Sequence, residues 1–131
     1  MYSGKRGDGY RGETIACRYL QQIGCAIRAR NYYTPFGEID IVAEDEEHLI
    51  FVEVKLRSAR YAAAYGRPSL AVNREKRLHI VRAAGYYISA EPNAPKKQPR
   101  IDVMELLTEP LTDGFVAVKI NHIQRAFGAD A

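Results

Sequence analysis

Two short runs of alternating apolar and charged residues, separated by an acidic turn, constrain the fold of this chain most. The runs are Gly37-Glu38-Ile39-Asp40 and Val52-Glu53-Val54-Lys55. Residues two apart in a β-strand share a face, so Glu38 lies with Asp40 and Glu53 lies with Lys55. The pattern predicts two strands that carry carboxylates and an ammonium group at positions where strands ordinarily carry apolar side chains.

The turn at Glu46-Glu47 predicts that the two strands form an antiparallel hairpin. In that register Asp40 lies opposite Glu53, and Glu38 lies opposite Lys55. Directly opposed residues have Cα atoms about 4.5 to 5.5 Å apart, and like charges placed there destabilise a sheet. A cation between Asp40 and Glu53 would remove this repulsion, and hard divalent cations prefer such oxygen ligands. The pattern therefore indicates a Mg²⁺-dependent nuclease site.

The alternative is that these charges form the solvated face of a half-exposed sheet, which is the usual meaning of such alternation. The face of the second strand that carries Glu53 and Lys55 begins with Leu49 and Phe51. This face therefore starts as core and becomes polar only near its end. A sheet that is buried on both sides and opens into charge at one end makes a cleft, which favours the site over the solvated face.

Composition predicts one globular domain, since the chain has 131 residues, of which 47% are hydrophobic and 27% are charged. No apolar run approaches the roughly 20 residues of a membrane span, and the first residues lack the apolar stretch of a signal peptide. We therefore expect a cytoplasmic protein with no membrane partner.

Cys17 and Cys25 lack metal-ligand spacing and are expected to be buried reduced thiols. The three histidines are expected to be structural or exposed.

Charge is distributed unevenly along the chain, although the net charge is only +3. The segment 36–54 contains seven acidic residues and no Lys or Arg, and net basic segments flank it on both sides. An acidic centre within basic flanks suits an enzyme that holds metal ions against a phosphate backbone. Basic stretches are more often solvated surface, so this feature only supports the site prediction.

The periodicities predict a central mixed β-sheet flanked by helices, an α/β or α+β domain with the order α-β-β-β-α-β-β. Residues 1–10 are expected to form a mobile N-terminal arm and residues 11–127 the domain. In chain order the predicted elements are a helix at Gly12–Ile23, strands at Ala26–Tyr32, Glu38–Glu44 and Leu49–Leu56, a loop at Ser58–Pro68, a helix from an Asn73 N-cap to Ser89, and strands at Arg100–Leu107 and Phe115–Gln124.

Both helices are expected to turn an apolar stripe toward the core. The predicted inward residues are Ala16, Tyr19, Leu20 and Ile23 in the first helix, and Leu78, Val81, Ala84 and Ile88 in the second. Glu13 lies on the first stripe and either faces the cleft or only complements the helix dipole. Cations and rings alternate in the loop after the third strand, which either clasps nucleic acid or is plain surface.

Taken together, these motifs resemble the PD-(D/E)XK nuclease superfamily and, more closely, the bacterial YraN family. The resemblance implies a restriction-endonuclease-like domain over residues 11 to about 103. The matching pieces are Gly12-Glu13, Arg30-Asn31-Tyr32, Gly37-Glu38-Ile39-Asp40-Ile41, Phe51-Val52-Glu53-Val54-Lys55, Arg57, Tyr65-Gly66, Lys76 and Arg100-Ile101-Asp102. Ile39 stands where the superfamily motif has Pro, and Glu38 is an acid without an assigned role.

The resemblance also implies a site. Asp40 and Glu53 would ligate Mg²⁺ or Mn²⁺ with the carbonyl group of Val54, and Lys55 would steady the attacking water or the phosphate charge. Glu13 would correspond to the helix-borne acid that archaeal Holliday-junction resolvases place beside the metal. The set expected to contact nucleic acid is Arg57, Arg60, Tyr65 and Lys76.

The preferred hypothesis is therefore a metal-dependent endonuclease that cleaves DNA, including branched or repair intermediates. The alternative is a non-catalytic module that keeps a nuclease fold and uses its basic loop and second helix to bind nucleic acid or join a complex. By analogy with the junction resolvases, whose substrate has two equivalent cleavage points, a homodimer is a further expectation.

Overall fold

The computed structural model describes residues 4–64 and 72–128. Its elements are helix α1 (Gly4–Gln22), strands β1 (Ala26–Thr34), β2 (Gly37–Glu44) and β3 (His48–Ser58), a 3₁₀ helix (Ala59–Ala64), helix α2 (Arg74–Ala90), and strands β4 (Gln98–Leu111) and β5 (Gly114–Phe127). The predicted element order is confirmed, and the predicted loop after β3 begins with a 3₁₀ helix.

The five strands form one mixed sheet in the order β1-β2-β3-β4-β5. Strands β1, β2 and β3 form an antiparallel meander, β4 runs parallel to β3, and β5 returns antiparallel to β4. A parallel pair needs a long crossover connection, and α2 lies within the connection between β3 and β4. The predicted α+β class with a helix-flanked mixed sheet is confirmed.

Strand β3 lies at the centre of the sheet and is buried on both faces. Leu49 and Phe51 pack in one core with residues of α2, whereas Ile50 and Val52 pack in a second core with residues of α1. Each helix therefore covers a different face of the sheet. In the part of the chain that the structure describes, no helix is long and apolar enough to cross a membrane.

Helix α1 begins at Gly4, so the predicted start at Gly12 was wrong, and residues 4–10 of the predicted arm are helical. Glycine has a low helix propensity, but tertiary contacts can override it. Here the guanidinium of Arg30 lies 4.3 Å from the ring centroid of Tyr10 and donates to the Tyr10 carbonyl at 3.1 Å. Contacts from β1 thus hold this first part of the helix.

The inward face of α1 was predicted correctly at Ala16 and Leu20, which are fully buried. Ile23 was predicted to face inward but is 48% exposed, because the helix ends at Gln22 and Gly24 turns the chain at a φ of 98°. Cys17 and Cys25 are buried free thiols, as predicted.

Helix α2 starts at the predicted N-cap, where the Oδ1 atom of Asn73 accepts a hydrogen bond from the Lys76 N–H at 2.9 Å. Its inward stripe was predicted with an offset, because Ala84 is buried and Val81 packs partly buried against the core, whereas Ile88 is exposed. The residues that face the core are Ile80, Ala83, Ala84 and Tyr87.

Tyr87 explains the offset of this stripe. Its ring packs edge-on against Phe51 and Tyr32, and its hydroxyl accepts from the Arg28 Nε–H at 3.0 Å. Ile88 is 41% exposed and, with Val81, lines an open cavity of about 900 Å³ between α2 and the strands β4 and β5. The helix therefore has apolar residues on two sides, and periodicity alone did not distinguish them.

Candidate functional site

Strands β2 and β3 separate at the end of the sheet where the charged residues lie. Their ladder runs from Glu44–Leu49 to Ile41–Val52, which is the predicted register, and ends there. Beyond this point β2 remains paired only with β1, and β3 remains paired only with β4. The predicted pairs Asp40–Glu53 and Glu38–Lys55 fall just past the last rung. We call the opening between residues 37–40 of β2 and residues 53–58 of β3 the fork.

Asp40 bridges the two strands where the ladder ends. Its Oδ2 atom accepts a hydrogen bond from the backbone N–H of Val54 at 2.8 Å. A side chain thus takes the position of the next main-chain hydrogen bond, and it fixes the orientation of the Asp40 carboxylate across the fork.

The charge of Glu53 opposes the ionisation of Asp40 in the fork. Burial, and next the negative charge of Glu53, raise the pKa of Asp40 to about 8. Glu13 and Glu38 add smaller effects in the same direction, and the Val54 N–H opposes them. Glu53 itself is only 4% exposed. Like charges in a shared buried site shift pKa values in this way, and an added cation would reverse the shift.

Two lysines lie at the same oxygen atom of Glu53. The Nζ atoms of Lys55 and Lys76 are 3.3 and 3.8 Å from Oε2 of Glu53. Lys55 reaches it along β3, whereas Lys76 comes from the first turn of α2. A buried carboxylate requires compensating charge. Lys76, which the sequence assigned to nucleic-acid contact, therefore lies at the fork beside the predicted metal ligands.

Glu13 lies on α1, the helix that covers the face of the sheet opposite to α2. Its Oε2 atom accepts from the Nδ2 atom of Asn31 at 3.0 Å, and its Oε1 atom lies 3.9 Å from Arg30. That Oε1 atom is buried and has no hydrogen-bond partner. Burial is the largest cause that raises the pKa of Glu13, and the charges of Glu38 and Glu53 contribute. Glu13 thus belongs electrostatically to the same cluster.

Asn31 is a site residue to which sequence reasoning gave no role. It has a positive φ of 50° and lies between the rungs Arg30–Ile41 and Tyr32–Ile39, at the level of Asp40. Asparagine is depleted in strand interiors and tolerates this backbone conformation better than most residues. Its presence within a strand-like run was the signal that could have identified it.

Glu105 is a second residue that the sequence analysis missed. It is 4% exposed, lies opposite Lys55 in the parallel β3–β4 register, and accepts from the Nδ2 atom of Asn121 at 2.9 Å. An acid between Met104 and Leu106, in a run that is otherwise apolar, was the available signal. Its position places another carboxylate on the strand next to the fork.

The acids do not converge as a complete set of metal ligands. Within residues 4–64 and 72–128, no group of three or more His, Cys, Asp or Glu side chains is arranged to hold a metal ion. Asp40 instead feels the charge of Glu53, and Glu13 is bonded to Asn31. The two lysines occupy the Glu53 oxygen that a cation would use.

The residues predicted to contact nucleic acid lie on different elements of the structure. Arg57 lies farther along β3, and its carbonyl group accepts from Thr108 at 3.4 Å. Arg60 lies in the 3₁₀ helix, with its guanidinium 5.8 Å from the ring centroid of Tyr61. Tyr65 falls outside the described residues. Lys76 is therefore the member of this set that lies at Glu53.

A separate buried network lies where strand β4 begins. Arg100 donates twice to Asp102, at 3.0 Å each, and the Nε2 atom of His122 lies 2.7 Å from Oδ2 of Asp102. Burial alone would raise the pKa of Asp102, but hydrogen bonds from His122, Arg100 and the Arg125 N–H outweigh it and hold the pKa below its usual value. We call these four residues the Asp102 network.

Comparison with known proteins gives consistent matches over most of the chain. The model of a family described as "Uncharacterised protein family UPF0102" matches residues 12–106. A UPF0102 protein of Caldanaerobacter subterraneus subsp. tengcongensis is 38% identical over 123 residues, which cover 94% of this chain and 96% of the relative. A UPF0102 protein of Chlorobium phaeobacteroides is 41% identical over 120 residues, covering 91% and 92%. One of Clostridium kluyveri is 39% identical over 113 residues, covering 86% and 89%.

Proposed function

Since the chain belongs to the UPF0102 family, the YraN family whose motifs it carries, we propose that it is a metal-dependent endonuclease that hydrolyses phosphodiester bonds in DNA. Branched molecules and repair intermediates are the proposed substrates. One observation carries the proposal: Asp40 and Glu53 share a buried position at the opening between two strands, although their charges repel each other.

The donor atoms at the fork suit a hard divalent cation such as Mg²⁺ or Mn²⁺. Asp40 carries a raised pKa beside Glu53, and the buried Oε1 atom of Glu13 lacks a hydrogen-bond partner. Both features are expected of ligands that are poised for a cation. Asp40, Glu53 and the carbonyl group of Val54 would hold it, with Glu13 adjacent. When bound, the cation polarises the scissile phosphate and lowers the pKa of a coordinated water.

The residues around this position have separable tasks. The Val54 N–H holds the Asp40 carboxylate across the fork, and Asn31 holds the carboxylate of Glu13. Lys55 places its ammonium group 3.3 Å from Glu53, where it can offset negative charge that develops on the phosphate during attack. Burial of Glu53 keeps these electrostatic interactions strong because water screens them little.

Basic residues near the fork suit the backbone of a nucleic acid. Arg57 lies near the end of β3 and Arg60 in the 3₁₀ helix after it, and Arg74 and Arg82 are exposed on α2. Cations arranged in this way contact phosphates without reading sequence. Affinity for DNA should therefore fall steeply as salt concentration rises.

Cleavage by the parent protein and by Asp40→Asn tests the proposal directly. Labelled single-stranded, duplex, flap and four-way-junction DNA would be incubated with Mg²⁺, Mn²⁺ or EDTA. The Asn side chain can still accept from the Val54 N–H but gives the cation no charged ligand. We expect cleavage to need metal and to fall at least about a hundredfold in the variant, the scale on which disturbed metal shells act.

Glu46→Gln is the matched control, since Glu46 is an exposed acid in the turn at the other end of the same hairpin. It should cleave like the parent. Equal cleavage by Asp40→Asn and the parent would contradict the proposed site.

A non-catalytic nucleic-acid-binding module, acting alone or in a complex, is the second candidate. The observation that favours it is that no three potential ligands converge in the described part of the chain, while both lysines neutralise Glu53. Such a module would bind the same DNA panel in EDTA as tightly as in Mg²⁺ and would cleave none of it. The proposed homodimer is tested separately by the mass of the protein in solution, with and without junction DNA.

A further inference from the structure

Glu53 has more positive charge around it than its own carboxylate requires. Its side chain is 5% exposed, and Lys55 at 3.3 Å already forms an ion pair with Oε2. The second ammonium group, from Lys76, lies 3.8 Å from the same atom. Two cations on one oxygen repel each other. The pair of lysines is therefore not explained by the need to neutralise Glu53 alone.

Lys76 is also placed where a helix does not favour a cation. It is the third residue of α2, and its backbone N–H donates a hydrogen bond to the side chain of Asn73, the N-cap. The first turn of a helix carries partial positive charge, so acidic side chains are stabilising there and lysine is not. The capped backbone fixes the origin of the side chain, while its flexible stem leaves the ammonium group free to move.

The two lysines differ in how firmly they are held. The Lys76 side chain is 42% exposed and belongs to a different element from Glu53, whereas Lys55 is 31% exposed and lies two residues along the same strand. The contact made by Lys76 is also the longer one. Of the two, Lys76 is therefore the ammonium group that a competing cation would displace first.

We propose that Lys76 is a movable counter-ion of the site. It binds Glu53 when no metal is present, and a divalent cation at Glu53 displaces it, so that its ammonium group becomes available to a DNA phosphate. This inference rests on the proposed function, because it needs a cation at Glu53. Metal and DNA are then linked through one side chain: metal binding frees the lysine for DNA, and DNA binding removes a competitor of the metal.

Mn²⁺ binding to the full chain without DNA tests the displacement directly. Titration calorimetry and the electron paramagnetic resonance signal of free Mn²⁺ would compare the parent with Lys76→Met, Lys76→Arg and Lys96→Met. Lys96 is an exposed lysine in the loop before β4 and serves as the matched control. We expect Lys76→Met to bind Mn²⁺ roughly three to ten times more tightly, since a competing charge is gone but was partly screened by solvent. Lys76→Arg and Lys96→Met should bind like the parent.

Two further measurements show whether Lys76 acts through Glu53 and on DNA. In a Glu53→Gln background, Lys76→Met should no longer change the affinity for Mn²⁺. If Lys76→Met acted through a general effect on folding, its effect on affinity would persist in this background. Binding of duplex DNA would be measured in Ca²⁺ and in EDTA, where we expect little cleavage. Ca²⁺ should raise the affinity of the parent more than that of Lys76→Met. Circular dichroism would verify that every variant is folded.

Mn²⁺ affinity in Lys76→Met that equals or falls below that of the parent would overturn the inference, as would an unchanged effect in the Glu53→Gln background. If the parent itself neither binds Mn²⁺ nor cleaves DNA, the proposed function falls and this inference with it. If the parent binds and cleaves but Lys76→Met does not differ from it, only the role of Lys76 is wrong.

Discussion

Asp40 is held in the fork by a hydrogen bond and opposed by the like charges of neighbouring acids, chiefly that of Glu53. The Val54 N–H binds its carboxylate, while burial and the charge of Glu53 raise its pKa to about 8. A residue selected for activity often makes the folded protein less stable than a substitute at the same position would. At this residue the two effects can be separated, because an amide keeps the hydrogen bond and removes the charge.

Without metal, Asp40→Asn should therefore be more stable than the parent. We expect the free energy of unfolding to increase by about 1 kcal/mol, the scale of a directly opposed pair of like charges. Thermal unfolding in EDTA at neutral pH measures it. Glu53→Gln provides the contrast, because it leaves two lysines at a buried amide and should lower the stability. A lower melting temperature for Asp40→Asn would contradict the expectation.

At this same scale, the sequence predicted a cluster of acids near the end of β2 and β3 but not the contacts that each of them makes. Asp40, Glu53 and Lys55 were recognisable because charge interrupts apolar strands. Asn31 and Glu105 gave a weaker signal, a polar side chain within a strand-like run, because their partners lie on α1 and β5. The part played by Lys76 required the position of α2 relative to β3.

At the scale of elements, the start of α2 connects helix stability to the site. Asn73 caps the helix three residues before Lys76, and Arg77 donates to the Val72 carbonyl at 2.8 Å. These bonds hold the first turn close to the fork. Disorder in this turn would displace the Lys76 backbone, and with it the side chain that reaches Glu53.

Asn73→Ala should accordingly destabilise the protein by about 1 kcal/mol, the usual loss when a capping side chain is removed. Urea unfolding followed by circular dichroism measures this change. Asn73→Asp should restore most of the stability because it can cap in the same way. Ser89→Ala, which removes a side-chain bond to the Gly85 carbonyl at the other end of α2, is the control and should have little effect. No difference between Asn73→Ala and the control would contradict the role of the cap.

Strands and helices differed in how far the sequence predicted them. The β2–β3 register was correct because a short turn and a period of two residues leave few alternatives. The inward stripe of α2 was predicted with an offset because apolar residues occupy two of its sides, one toward Tyr32 and Phe51 and the other toward the open cavity. Helix α1 begins at Gly4, and Arg30 contacts it at Tyr10 within the part predicted as an arm, a contact that propensity cannot indicate.

At the scale of the whole molecule, the Asp102 network ties distant parts of the chain together. Asp102 is fully buried and binds Arg100, His122 and the Arg125 backbone. The guanidinium of Arg125 then reaches His48 at 2.9 Å, next to the β2–β3 turn. The network itself forms because β5 pairs antiparallel with β4, and the parallel β3–β4 pair brings His48 next to it. It therefore depends on the pairing of three strands, which no local sequence pattern contains.

Acid should destabilise the protein partly through Asp102. Because hydrogen bonds hold its pKa below that of the unfolded chain, about 3.9, its contribution is complete above that value and is lost as pH falls through the folded-state pKa. Asp102→Asn should lower the free energy of unfolding at pH 7 by roughly 3 kcal/mol, since it leaves buried cations unpaired.

Urea unfolding of both proteins at pH 7 and pH 3 measures the contribution of Asp102. The difference in the free energy of unfolding between the parent and Asp102→Asn should be smaller at pH 3 than at pH 7. A gap that stays constant would show that Asp102 does not titrate as the network requires.

The hydrogen bond between Asp40 and the Val54 N–H also has an evolutionary consequence. Because one carboxylate both bonds to β3 and feels the charge of Glu53, a descendant without the proposed cleavage activity would still need an acceptor at this position. Drift there should favour Asn, while Glu13, which makes no bond to β3, could change more freely. Among related sequences, Asn at the position of Asp40 would mark a lineage that kept the architecture without the proposed chemistry.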